Sequence, residues 1–318
     1  MLKDLYHLLT IRTYKNEMLR ILTIFIIGVI IFLAYKHLVE PEYKSNIEGF
    51  TQGSPYVLKT DKEIYDEFYV AVYDLLYRNE ERGVKELRYI IESTHPSVNR
   101  SNILDLGCGT GYLVNMLSSD GFVVHGIDKS DSMIDYCKEK YENQLSVLNE
   151  DATNPLVFDP NSFSHVICSN FTVYEFENKK QIFTNVNKWL KHNGYFIIHL
   201  VDPNEFDTTI PAAKPSIKMN PQEYSNSRIT KTHINFDGFS YESNYVCGSN
   251  NVFTMNELFE DFETKKKREN EHTLFMTDLE EMERLAQQCG FHLHSKASQN
   301  KIYGGDKHQY IYVFEKIH

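Results

Sequence analysis

The chain has 318 residues, room for one large domain with appendages, and its 42% hydrophobic content is that of an ordinary globular protein. A formal net charge of -11 argues against a nucleic-acid groove, because phosphate binding is carried by Lys and Arg. Its five cysteines form no C-x-x-C pair and leave one unpaired under any disulfide scheme, so they read as reduced thiols rather than a secreted framework.

Residues 1–17 read as an N-terminal tail. Residues 21–35 then carry no charged group, and with Met18, Leu19, Leu38 and Val39 they predict a single-pass transmembrane anchor over 18–39 whose flanking cations snorkel. A cleaved signal peptide is the competing reading, but Tyr35-Lys36-His37-Leu38-Val39-Glu40 offers no small-x-small cleavage site. The cations Lys3, Arg12, Lys15 and Arg20 favour a cytosolic N-terminus. The unpaired cysteines, and the Asn170-Phe171-Thr172 sequon where a glycan would obstruct a pocket rim, favour a cytosolic catalytic domain, which is the expectation adopted. Residues 40–60, with Pro41, Gly49, Gly53 and Pro55, read as a linker into a domain over 61–318.

Thr60-Asp61-Lys62-Glu63 is a capping-box pattern that predicts a helix with Tyr65, Phe68, Tyr69, Val72, Tyr73 and Leu76 on one face. After a second helix near 81–93, predicted strands at 102–106, 122–127, 144–148, 164–169 and 195–201 alternate with helices at 111–119, 131–141 and 178–191. That alternation requires right-handed crossovers and predicts an α/β, doubly wound, mostly parallel sheet. Residues 202–276 are too long for a connection, and Phe236-Asp237-Gly238-Phe239 is a hairpin signal followed by a strand pattern from Val252 to Phe262. A β-rich insertion after the fifth strand is therefore expected, at the carboxyl edge where substrates are recognised, with Lys265 to Arg268 as a solvated face. A helix near 278–289 and strands at 291–298 and 308–315 complete the chain.

The chemistry concentrates in the first of these turns. Ile103-Leu104-Asp105-Leu106-Gly107-Cys108-Gly109-Thr110-Gly111 runs from a hydrophobic strand into a glycine-rich turn, and Asp128 closes the next strand. Glycines let the backbone approach a ligand, and an acid at the end of the neighbouring strand accepts both hydroxyls of a ribose. The spacing is G-x-G-x-G, with Tyr112 where a dinucleotide fingerprint needs its last glycine, which disfavours a pyrophosphate. Asp105 would also repel phosphate, yet it suits a cationic or amino-bearing ligand.

This turn and its two acids resemble motif I and the following acidic position of class I S-adenosylmethionine-dependent methyltransferases. The resemblance implies a seven-stranded sheet closed by an antiparallel hairpin, a lid helix bringing Tyr65 or Tyr69 to the ligand, and S-adenosylmethionine as cofactor. It assigns Gly107, Cys108, Gly109 and Gly111 to the amino-acid and ribose portion, Asp105 to the ammonium or its water, and Asp128 to the ribose hydroxyls. Lys129-Ser130-Asp131-Ser132-Met133 is similar to the family's continuation of the motif, with Met133 near the adenine. Glu150-Asp151-Ala152 is similar to the acid-bearing turn that holds the adenine amino group, and Asn170 would meet the cofactor or the substrate.

Ser169-Asn170-Phe171-Thr172 replaces the N-P-P-Y or D-P-P-Y tetrapeptide of enzymes that methylate amino groups of DNA and some proteins, which favours a small-molecule or lipid-like acceptor. Tyr174, His199 and His233 are the candidates for a general base. No metal site is expected, since His292 and His294 lack a third ligand. Together these expectations describe a membrane-anchored methyltransferase, with protein or peptide methylation, or a tethered non-catalytic scaffold, as the alternatives.

Overall fold

The computed structural model describes residues 21–30, 50 and 53–317, and divides the chain into two compact units, Met1–Asn46 and Ile47–His318. In the first unit residues 21–30 are helical, with Ile21, Leu22, Ile24 and Phe25 exposed. Among the described residues no helix is long and apolar enough to cross a membrane. The expected single-pass anchor, and the membrane localisation derived from it, are corrected on this finding. Residues 18–20 and 31–39 of the expected segment lie outside the described ones.

The second unit begins with β1 (Tyr56–Thr60), α1 (Glu67–Tyr77), α2 (Asn79–Thr94), β2 (Asn102–Leu106), α3 (Tyr112–Ser119), β3 (Val123–Asp128), α4 (Asp131–Lys140) and β4 (Val147–Asn149). It continues through β5 (Phe163–Cys168), α5 (Lys179–Trp189), β6 (Leu190–Val201), β7 (Lys231–Asn235), β8 (Phe239–Cys247), β9 (Val252–Asp261) and β10 (Lys267–Phe275). The chain closes with α6 (Leu279–Gln288), β11 (Phe291–Ser298), α7 (Gln299–Tyr303) and β12 (Gln309–Lys316).

Seven strands form the main sheet in the order β11-β12-β6-β5-β2-β3-β4. The strands from β6 to β4 in that order pair in parallel, whereas β12 lies antiparallel to β6 and β11 antiparallel to β12. Burial explains this arrangement. Leu104, Leu106, Val166, Cys168, Phe196 and Ile198 enter one core, while the alternate positions Ile103, Ile167, Ile197, Ile311 and Val313 enter another on the opposite face. Central strands buried on both faces read as continuous apolar runs, and helices cover both sides.

The insertion folds as a second sheet, ordered β1-β10-β9-β8-β7, in which β1 from the region read as linker pairs in parallel with β10. Phe239, Tyr241, Phe253, Met255 and Phe259 from this sheet pack in one core with Phe68, Tyr69 and Val72 of α1. That helix begins later than the capping-box pattern predicts. Thr60 makes no side-chain cap and residues Asp61–Glu63 form only a 3-10 turn, while the Asp66 carboxylate accepts the Tyr69 N–H at 3.2 Å. The cap is fixed from outside the helix, because Arg268 Nη1 donates to both Asp66 oxygens at 2.7 and 2.8 Å. The guanidinium lies 4.7 Å from the Phe68 ring centre with its side chain 4% exposed, so the solvated face expected at Lys265 to Arg268 is corrected at Arg268.

Replacing Arg268 strands the cap of α1 and leaves polar partners in the interior. Arg268→Ala is expected to cost about 3 kcal/mol, the usual penalty for removing one partner of a largely buried ion pair, read as a lowered urea midpoint.

Candidate active site

The glycine-rich turn is anchored to the neighbouring strand before any ligand is considered. Gly107 N and Cys108 N both donate to Ile127 O, at 2.8 and 2.9 Å. Gly109 has φ +51° and an added Cβ would have no neighbour nearer than 3.9 Å, so its free side faces a cavity. Gly111 differs. At φ +78° it precedes α3, and a Cβ there would fall 2.2 Å from Cys137 Sγ of α4. Its small size serves helix packing.

Two cavities flank the turn and share Tyr73, Gly107, Gly109 and Thr172. The first is lined by Asp105, Cys108 and Asn170 together with Arg82, Glu86 and His199. Asp128, Lys129, Met133, Asp151 and Ala152 line the second, with Tyr65 and Glu175. The fold thus brings together every cofactor candidate named from the sequence except Gly111.

The two acids are held differently. Asp128 Oδ2 accepts Gly109 N and Oδ1 accepts Ser130 N, each at 2.9 Å, so the carboxylate is oriented by backbone donors with lone pairs to spare. Burial raises its pKa and those two donors oppose the rise. Asp105 is 1% exposed and its Oδ1 has no hydrogen-bond partner. Burial, then the nearby Asp128 charge, pushes its carboxyl up to about 8. A buried, unpaired acid lining a cavity is a position for a ligand donor.

The rim is organised by side chains from distant segments. Asn170, in the left-handed region at φ +53°, accepts Arg82 Nη1 through Oδ1 at 2.8 Å and donates from Nδ2 to the Tyr73 hydroxyl at 3.2 Å. Lys129 Nζ pairs with Glu175 Oε2 at 3.2 Å, and the Tyr65 hydroxyl donates to Glu175 Oε1. Asp151 Oδ1 accepts Thr153 N within its own turn, at 2.8 Å. Arg82, Glu86, Thr172 and Glu175 carried no motif in the sequence. Only the i, i+4 tyrosine spacing of α1 signalled Tyr73.

The three candidate bases are not brought together. The buried Tyr174 hydroxyl accepts Val201 N at 2.8 Å and lines neither cavity. His199 lines the first cavity, yet its Nδ1 donates to Asn170 O and its Nε2 faces the donor Gln299 Nε2 at 3.5 Å. Burial, then the Arg82 charge, holds its pKa down to about 4, so it is neutral at pH 7 with both nitrogens engaged. His233 lies half-exposed on β7, paired with Glu242 at 3.1 Å and remote from the turn's lining. Among the described residues no group of three or more His, Cys, Asp or Glu could hold a metal ion.

Comparison with known proteins adds to this geometry. A family described as a methyltransferase domain matches residues 103–194. The biotin biosynthesis bifunctional protein of Teredinibacter turnerae is 30% identical over 183 residues, 52% of this chain, which spans only 32% of that relative's length. The CcbJ methyltransferase from Streptomyces caelestis superposes with TM-score 0.63 at 16% identity, covering 81% of this chain and all of that one. An amino pentose methyltransferase from Micromonospora echinaspora, solved with S-adenosylmethionine bound, gives TM-score 0.55 at 16% identity over 78% of this chain and 96% of that one. At such identities the structural likenesses show the fold.

The two turn glycines are expected to separate in mutagenesis. Gly109→Ala costs about 1 kcal/mol of stability for the left-handed backbone alone and mainly weakens ligand binding. Gly111→Ala, which also displaces Cys137, is expected to cost about 3 kcal/mol and to lower the thermal midpoint clearly more.

Proposed function

The chain carries a class I S-adenosylmethionine-dependent methyltransferase domain, and on that premise we propose that it transfers a methyl group to a small-molecule acceptor. The observation that carries this reading is the pair of acids across the turn: Asp105 with an unpartnered buried oxygen, and Asp128 oriented by two backbone donors. The residues fit the cofactor. Asp105 would hold its ammonium, Asp128 its ribose hydroxyls, and Met133, Asp151 and Ala152 its adenine, while Gly109 leaves the space a Cβ would fill.

When bound, S-adenosylmethionine supplies an electrophilic methyl group on a sulfonium. What the protein's residues add is position: Tyr65 and Tyr73 of the lid close over the turn, and Asn170 fixes Arg82 at the edge where the two cavities meet other space. Displacement from a sulfonium needs little covalent help, so such positioning accounts for most of the rate. The likeness to a biotin-biosynthesis protein and to an amino pentose methyltransferase supports a small acceptor. A lipid-like acceptor loses its support with the corrected membrane anchor.

Titration calorimetry of the chain with S-adenosylmethionine tests the reading. Asp128→Ala is expected to weaken binding at least about tenfold, or 1.4 kcal/mol; no binding to the parent, or equal binding to the variant, refutes it. The pH dependence gives a second check. Asp105 is mostly protonated below about 8, and a cation beside it favours the ionised form, so affinity is expected to rise with pH up to about 8 and then level off. Binding at pH 7 should release a proton, visible as a buffer-dependent enthalpy, and Asp105→Asn should abolish that release.

A further inference from the structure

A third cavity lies across Arg82 and Asn170 from the first, and we propose that it is the acceptor site and takes an amine-bearing, polyhydroxylated ring of the amino-sugar type. The proposal rests on the methyltransferase reading and deepens it.

One wall is a run of aromatic rings. Phe171 and Phe206 have centroids 5.4 Å apart, and Phe206 and Tyr245 lie 5.7 Å apart, which offers an extended face to the apolar side of a ring. The same cavity collects hydroxyls without partners. Thr209 Oγ1 is buried and unbonded, and no hydrogen bond among the described residues engages the hydroxyls of Tyr245 or Tyr303. Burial raises the pKa of both phenols, so they remain neutral donors and acceptors. Partly buried tyrosine hydroxyls ordinarily find a partner, and three idle hydroxyls around an aromatic wall call for a ligand that carries several polar groups of its own.

The charges lining this cavity point to an amine. Asp207 pairs with Lys214, and Arg82 is occupied by Asn170 and by Glu86, the latter at 3.6 Å. Asp306, 3% exposed, accepts only neutral donors, from Asp207 N at 2.6 Å, His308 N at 2.9 Å and Gln309 Nε2 at 3.2 Å. Arg228 stacks on Phe206 but does not line the cavity. Asp306 is therefore a lining carboxylate without an ion-pair contact to a lining cation, although Arg228 feels its charge, and it is suited to an ammonium.

The engagement of His199, which lines the first cavity, favours the same class. A hydroxyl acceptor must lose its proton as the new bond forms, yet neutral His199 spends its one N–H on Asn170 O and turns its Nε2 lone pair toward the donor Gln299 Nε2, 3.5 Å away. An amine brings its own lone pair. In free-base form, after its proton has gone to solvent, the lone pair forms the N–C bond as the C–S bond breaks. Sulfur keeps that bonding pair, and the positive charge passes to the methylated nitrogen, beside Asp306.

The test uses the full chain saturated with S-adenosylhomocysteine and titrated with D-glucosamine or D-glucose, followed by labelled-methyl transfer from S-adenosylmethionine to each. Glucosamine is expected to bind at least tenfold more tightly than glucose and to be the one that takes label. Tyr245→Phe with Tyr303→Phe, which removes two hydroxyls and keeps both rings, should weaken glucosamine about tenfold while leaving S-adenosylhomocysteine affinity within twofold. Equal binding of the two sugars, binding of neither, or full glucosamine affinity in the double variant overturns the proposal. Failure of the parent to bind S-adenosylhomocysteine instead overturns the methyltransferase reading beneath it.

Discussion

The Asp128 carboxylate joins the parts on which the site depends. One oxygen takes the Gly109 N–H and the other the Ser130 N–H, so a single side chain fixes the glycine turn after β2 and the entry to α4 after β3. Ser130 then caps α4 by accepting Met133 N at 3.1 Å, and its own hydroxyl reaches the Tyr65 backbone at 2.7 Å. A carboxylate buried at this depth is stable only with such donors, and the donors are placed only if the strands register as they do. The cavity wall and the fold's connectivity are in this sense one constraint.

A second acid plays the matching part in the insertion. Glu257 of β9 is fully buried, and burial alone would raise its pKa, yet His272 and hydrogen bonds from Asn270 and Tyr241 hold it below the usual carboxylate range. Its oxygens also accept the Tyr69 hydroxyl at 3.0 Å, and Tyr69 packs against Tyr73 of the same helix and Tyr65 just before it. The second sheet thereby holds the lid helix, and Arg268 on β10 holds its first turn through Asp66. A buried charge that collects donors from several elements contributes less net stability than specificity, because each partner must arrive in one arrangement. The insertion in this way supports the helix whose Tyr73 lines both cavities beside the glycine turn, and it is a candidate for recognising the acceptor.

Legibility in the sequence followed the range of the interactions. The strands from 102 to 201, the hairpin at Asp237-Gly238 and the final antiparallel pair were readable because period, turn residues and chain direction are local signals. The start of α1 was misread because Thr60 to Glu63 satisfies a local capping pattern, whereas Asp66 wins by holding an arginine 202 residues away. β1 was read as linker because its pairing with β10 leaves no trace in its own composition. The engagement of the candidate bases was illegible for the same reason: Tyr174, His199 and His233 each meet partners that no spacing rule predicts.

By itself the sequence determined the ligand class. The spacing of Gly107 and Gly109 with the two acids disfavours a dinucleotide and points to a nucleoside-bearing ligand, and the resemblance of that turn to motif I of class I methyltransferases implies S-adenosylmethionine, because backbone clearance and acid placement within one βαβ unit are fixed by a few neighbouring residues. The tertiary structure decided what surrounds that turn: which glycine packs against a helix, which acid is buried without a hydrogen-bond partner, and that Arg82 and Asn170 line both the first cavity and the third. Those properties depend on burial and on partners from remote strands, and burial exists only once the chain has folded.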